Sequence, residues 1–112
     1  MRRFVAIACL TVLSTAVLVA TAPAATPVYK GTVGPGFTIK LAKAPTKAGK
    51  VKIVVADLSS SHNFHLTGPG VNVKTSVGGK GTKTFTVTLK KGTYTYVCDP
   101  HKSFMKGSFK IR

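Results

Sequence analysis

Apolar and polar residues alternate over much of the chain. Phe37, Ile39 and Leu41 are separated by Thr38 and Lys40. Val51, Ile53 and Val55 share one parity, with Lys52 on the other. Phe85, Val87 and Leu89 alternate with Thr84, Thr86 and Thr88. A period of two puts alternate side chains on opposite faces, the mark of a half-buried strand. Strands are therefore predicted over 37–41, 50–56 and 82–89. Threonine keeps strand propensity on the wet face of the last without adding apolar surface. Shorter extended segments are predicted at 63–66, at an irregular edge strand over 71–76, and at 93–98 and 108–111. Residues 26–30 are predicted as a linker entering the first strand. Gly- and Pro-containing stretches at 31–36, 42–49, 68–70 and 78–81 mark turns or loops, and Lys90-Lys91-Gly92 resembles a hairpin turn. Residues 57–61 form a polar connection. No helical periodicity and no internal repeat is found between these segments. Seven or eight short strands with such turns predict an all-β fold, a Greek-key β-sandwich.

The N-terminus follows another rule. Arg2 and Arg3 precede an apolar run from Phe4 to Ala20, and Ala22-Pro23-Ala24 gives a small-x-small exit. This is the order of a secretory signal. The run is also long enough to raise a membrane anchor as the competing reading. The small-residue exit and the Pro-rich polar stretch after it favour cleavage. Residues 1–24 are thus expected to be a cleavable signal segment and 25–112 a single domain without a membrane span. Arg2-Arg3 is also compatible with twin-arginine export. The expected location is periplasmic, extracellular or at the cell surface.

Charge and cysteine content change the picture further. The 112 residues carry 17 Lys and Arg against two acidic residues, a net charge of +15. Without Arg2 and Arg3 it is +13. The lysines are scattered, and few aromatics are interleaved as a nucleic-acid stacking face requires. The expected partners are an acidic redox protein or an anionic cell-surface polymer, with the domain itself a monomer. Cys9 leaves with the signal, so Cys98 is alone. A lone thiol in an exported domain is free, paired with another chain, or bound to metal.

Cys98, His101 and Met105 fall within eight residues. A thiolate, an imidazole and a thioether on one loop form a soft donor set suited to copper. Two histidines and a cysteine with a weak axial methionine describe an electron-transfer copper site. Each residue has a plainer role: buried cysteine as a small hydrophobe, a loop histidine at the surface, methionine as a core filler. A zinc site would want a second thiolate. The missing histidine is His62 or His65. Being three apart, they face opposite sides if both lie in a strand. His62 is preferred, because it follows the Ser59-Ser60-Ser61 loop near a strand end. His65 would be a hydrogen-bonded or surface-facing strand residue.

Ser61-His62-Asn63-Phe64, together with Tyr94 to His101, Met105 and Gly107, resembles the cupredoxins, the blue copper proteins such as plastocyanin, amicyanin and azurin. The resemblance spans about Tyr29 to Arg112. It implies copper at one end of a Greek-key sandwich, with His62, Cys98, His101 and Met105 as ligands. It also implies that Asn63 ties the two ligand loops together. The outer edge of His101 would be the electron port, ringed by Pro100, Phe104, Lys102 and Lys106. The function implied is that of an exported electron carrier and not an enzyme. Asp57 and Asp99 are the only carboxylates, so no separate acid–base pair is available. Two other readings stand beside it: copper storage, delivery or resistance, and a basic cell-surface interaction module.

Overall fold

The computed structural model describes residues 7–20 and 24–112. Residues 7–20 form no helix or strand, and Ile7, Leu10, Leu13 and Leu18 stand exposed. Among the described residues no helix is long and apolar enough to cross a membrane. Arg2, Arg3 and most of the expected cleavage site, Ala22-Pro23, lie outside the described residues.

Eight strands follow: β1 (Val28–Val33), β2 (Ile39–Leu41), β3 (Gly49–Asp57), β4 (His65–Gly68), β5 (Val71–Lys74), β6 (Gly81–Leu89), β7 (Gly92–Val97) and β8 (Lys106–Ile111). They form two four-stranded sheets, ordered β2-β1-β3-β6 and β5-β4-β7-β8. β1 and β3 run parallel. The other neighbours are antiparallel. This is the expected all-β sandwich.

The alternation in the sequence becomes the core. Val51, Ile53 and Val55 of β3 and Val87 and Leu89 of β6 meet Leu66, Tyr94, Phe109 and Ile111 of the opposite sheet. Removing one large aliphatic or aromatic side chain from water is worth roughly 1.5–3 kcal/mol. Two stacked ring pairs thicken the second sheet's inner face. Tyr94 lies over Phe109 at 5.3 Å between centroids, and Phe64 over Tyr96 at 5.4 Å.

Several local expectations are corrected. Gly31 lies inside β1 rather than in a turn, paired with Leu41 and Val55, and a Cβ there would stand 3.2 Å from the Phe64 ring. β1 accordingly begins at Val28, within the expected linker. Phe37 lies outside β2 and is 65% exposed, so it is not part of the core-facing row. Lys90-Lys91 is a crossover and not a hairpin, since β6 and β7 belong to different sheets. Tyr94 secures that crossover: its hydroxyl donates to the Pro69 carbonyl at 2.7 Å and accepts from the Lys90 amide at 2.9 Å.

The register fixes which loops share an end. His65 at the start of β4 pairs with Val97 at the end of β7, and Val97 pairs with Lys106 at the start of β8. Asp57 at the end of β3 pairs with Val33 at the end of β1. The segments 34–38, 58–64 and 98–105 therefore emerge together.

Candidate metal centre

The segment that carries His62 is shaped by its own polar side chains. The Asp57 carboxylate accepts from the Ser59 amide at 3.0 Å, and the Ser59 hydroxyl accepts from the Ser61 amide at 3.1 Å. Such side-chain turns fix a short connection without a sheet partner. The Leu58 amide also donates to the Val33 carbonyl at 2.9 Å. Gly34 backs onto this segment at φ 74°, where a Cβ would stand 2.9 Å from Ser59 Cβ. Only glycine combines that conformation with that approach. The result is a His62 that is 3% exposed and outside any strand. His62 thus lies in the connection before β4, as its place after the Ser59-Ser60-Ser61 loop led one to expect.

The second segment folds on itself. Cys98 follows β7 directly and is fully buried, and Asp99–His101 form a single 3₁₀ turn with Pro100 inside it. The His101 amide donates to the Cys98 carbonyl at 3.0 Å. The Met105 amide donates to the His101 carbonyl at 2.8 Å, and the Cys98 amide to the Met105 carbonyl at 3.0 Å. Met105 is 1% exposed. Its backbone thus closes the loop directly against the cysteine.

These loops bring three of the four candidate residues to one point. His62 Nδ1 and His101 Nδ1 are 3.1 Å apart, and each lies 3.6 Å from Cys98 Sγ. Among the described residues this is the group of histidine, cysteine or acidic side chains arranged to hold a metal ion. Donors at roughly 2.0–2.3 Å from a shared ion stand about 3.1–3.8 Å apart when their angles at the ion are about 100–120°. The spacing fits a metal ion, and the N₂S donor chemistry fits copper. With Met105 on the same loop, this is the arrangement of a type 1 copper site. His65 is not among the three.

Asn63 links the two loops. Its side-chain oxygen accepts from the Asp99 amide at 2.8 Å. Its NH₂ donates to the Asp99 carboxylate at 2.7 Å and to the Thr75 carbonyl at 3.3 Å. Thr75 adds a hydroxyl that accepts from the Phe64 amide at 2.8 Å, while its own amide donates to the Phe64 carbonyl at 2.9 Å. His65 Nδ1 meets Asp99 Oδ1 at 2.8 Å, and its Nε2 meets Asn72 Oδ1 at 2.7 Å. Partial burial pushes the Asp99 carboxyl up. The His65 and Asn63 hydrogen bonds and the positive charges of His65 and Lys74 outweigh it and hold the group below the usual carboxylate range.

The surface over the site is aromatic. Phe37 packs against the His62, His101 and Phe104 rings at centroid distances of 5.4, 5.1 and 5.6 Å. Phe104, expected beside His101, is 5.6 Å from it and 59% exposed. Sequence reasoning missed Phe37, because alternation alone assigned it to the core, and missed Thr75 and Asn72 altogether.

The comparisons agree with this geometry. No curated protein matches the chain. Reduced rusticyanin is similar in structure, with 22% identity, a TM-score of 0.61, and 81% of this chain and 82% of that one covered. Auracyanin from Roseiflexus castenholzii has 17% identity and a TM-score of 0.55, covering 80% of this chain and 99% of its own. Auracyanin A from Chloroflexus aurantiacus, described as a blue copper protein, has 17% identity and a TM-score of 0.52, covering 79% and 100%. At these identities the likeness establishes the fold. The family model for copper binding proteins of the plastocyanin/azurin family matches residues 36–112, well over half of the sequence. With the family model and the buried N₂S cluster pointing the same way, the chain belongs to the plastocyanin/azurin family of copper binding proteins, and its cofactor is copper.

Proposed function

We propose that the protein is an exported blue copper electron carrier in which His62 Nδ1, Cys98 Sγ, His101 Nδ1 and the Met105 thioether hold the copper. The observation that carries this reading is the convergence of two ring nitrogens and a buried sulfur, from two loops, within 3.1–3.6 Å of one another. Bound copper would supply a one-electron couple between Cu(II) and Cu(I).

The chain's part is to hold the donors still. The Asn63 bridge and the closed 98–105 loop resist rearrangement when the charge at the site changes, and small rearrangement means a low barrier. Outer hydrogen bonds of this kind orient ligands and tune the metal. Burial of His62, Cys98 and Met105 excludes water. His101 alone of the four is partly exposed, and its edge lies between Phe37 and Phe104. That aromatic patch is the route proposed for electrons. Exposed Lys102 and Lys106 flank it, which suits an acidic redox protein, and exchange rates with such a partner should fall as salt rises. Four protein donors leave no position for a substrate, so an electron carrier is favoured over an enzyme. Residues 1–24 are proposed as the export signal, with the domain working outside the cytoplasm as a monomer.

Copper added to the purified protein tests the reading. An intense blue thiolate-to-copper band and a reversible redox wave support it. Cys98→Ser should abolish the band, and Met105→Leu should keep it while raising the potential. Colourless, tight Cu(I) binding without a redox wave would turn the reading to copper storage or delivery. Absence of copper binding, with binding to anionic polymer unchanged in Cys98→Ser, would turn it to a basic surface module.

A further inference from the structure

We infer that His65 is a positioning residue for the copper site, one that fixes the orientation and the charge balance of Asp99 directly behind Cys98. The inference rests on the copper reading above and concerns a histidine to which that reading gives no role.

Each link is a short contact. The Asp99 carboxylate is shared: Oδ2 accepts from Asn63 at 2.7 Å, and Oδ1 faces His65 Nδ1 at 2.8 Å. The backbone amide of the same residue donates to Asn63 Oδ1. Asp99 follows Cys98, and Asn63 follows His62, so both ligand loops end on one carboxylate. His65 holds the far side of that carboxylate. Its other nitrogen faces Asn72 Oδ1 at 2.7 Å, so both ring nitrogens meet oxygen acceptors. Held at both nitrogens, the ring is fixed in orientation. β4 places the histidine there: His65 pairs with Val97 on one side and Lys74 on the other. The charged groups on the strands around it are Lys74 on β5 and, beyond Val97, Lys106 on β8. Asp99 is the anion in contact with it.

The consequence is electrostatic as well as mechanical. Reduction of the bound metal adds one negative charge to the site. A nearby cation favours the reduced form and a nearby anion disfavours it. A donor at His65 Nδ1 offsets part of the Asp99 carboxylate charge behind the ligand loop, at side-chain exposures of only 20% and 38%. Their balance contributes to the potential. A side chain that merely filled space would contribute nothing of opposite sign to its partner.

The test uses variants of the copper-loaded protein. His65→Gln keeps a donor for Asp99, so the midpoint potential should stay near that of the unsubstituted protein, whereas His65→Ala removes the donor that offsets the carboxylate charge, so the potential should fall. Asp99→Asn keeps the shape and removes the negative charge, so the potential should rise. Shifts of His65→Ala and Asp99→Asn in the same direction, or none, would overturn the inference. A second readout needs no metal. In metal-free His65→Ala protein, exchange of the Asn63 side-chain amide and the Asp99 backbone amide should quicken about tenfold, the net worth of one hydrogen bond. In His65→Gln it should stay near that of the unsubstituted protein. Unchanged exchange in His65→Ala would equally overturn it. A missing blue band in the unsubstituted protein would sink the copper reading instead, with the exchange result still deciding the role of His65.

Discussion

Removing the Asn63 side chain should cost far more stability than a loop residue ordinarily does. Asn63 is 1% exposed and makes three side-chain hydrogen bonds, to the Asp99 amide, the Asp99 carboxylate and the Thr75 carbonyl. A neutral bond contributes about 1 kcal/mol net, and one to a charged group more. The Asp99 side chain is 38% exposed, so its bond is discounted toward the neutral figure. Asn63→Ala therefore loses about 3 kcal/mol, and it leaves the Thr75 carbonyl, on a buried residue, without its donor. Urea unfolding of the metal-free protein measures this. With a slope of about 1–1.5 kcal/mol per M for a small domain, the midpoint should drop by about 2–3 M. A loss below about 1 kcal/mol would refute the claim that Asn63 holds the two loops together. The same variant should broaden the spectroscopic signature of the loaded site, because the His62 and Cys98 loops would no longer be fixed to each other.

Three further outcomes follow from the geometry. Tyr94→Phe deletes the bonds to Pro69 and Lys90 and should cost about 1–2 kcal/mol by thermal or urea unfolding, leaving the copper spectrum intact. Gly68→Ala drives a Cβ into the fully buried Tyr94 ring and should cost more than about 2 kcal/mol in the same assay. Asp99, whose carboxyl is held below the usual range, stabilises the fold above that range. Its contribution is lost as the pH falls through the depressed value. Acid titration of metal-free protein should show this loss, and Asp99→Asn should flatten that part of the curve.

The strands were legible because one-sided burial leaves a local record. Val51, Ile53 and Val55 alternate in sequence, and all three are buried in β3. The candidate site was legible for a different reason. Cysteine, histidine and methionine are scarce in this chain, so their clustering over 98–105 carried information that composition elsewhere did not. What stayed hidden depends on contacts distant in sequence. Phe37 continues the parity of Ile39 and Leu41, but the turn at Gly34 ends the pattern and swings the ring over His101. Lys90-Lys91 has the composition of a hairpin turn whether it joins neighbouring strands or opposite sheets. Only the pairing of β6 with β3 decides it. Thr75 and Asn72 looked like ordinary edge residues. Their roles exist only once β5 lies beside β4, bringing Thr75 to Asn63 and Phe64, and Asn72 to His65.

X-ray absorption fine structure at the copper edge of the loaded protein tests the central claim most directly. One short copper–sulfur bond and two copper–nitrogen bonds are expected, with the sulfur bond gone in Cys98→Ser and one nitrogen replaced in His62→Ala. A first shell of nitrogen and oxygen alone, unchanged by either substitution, would contradict it.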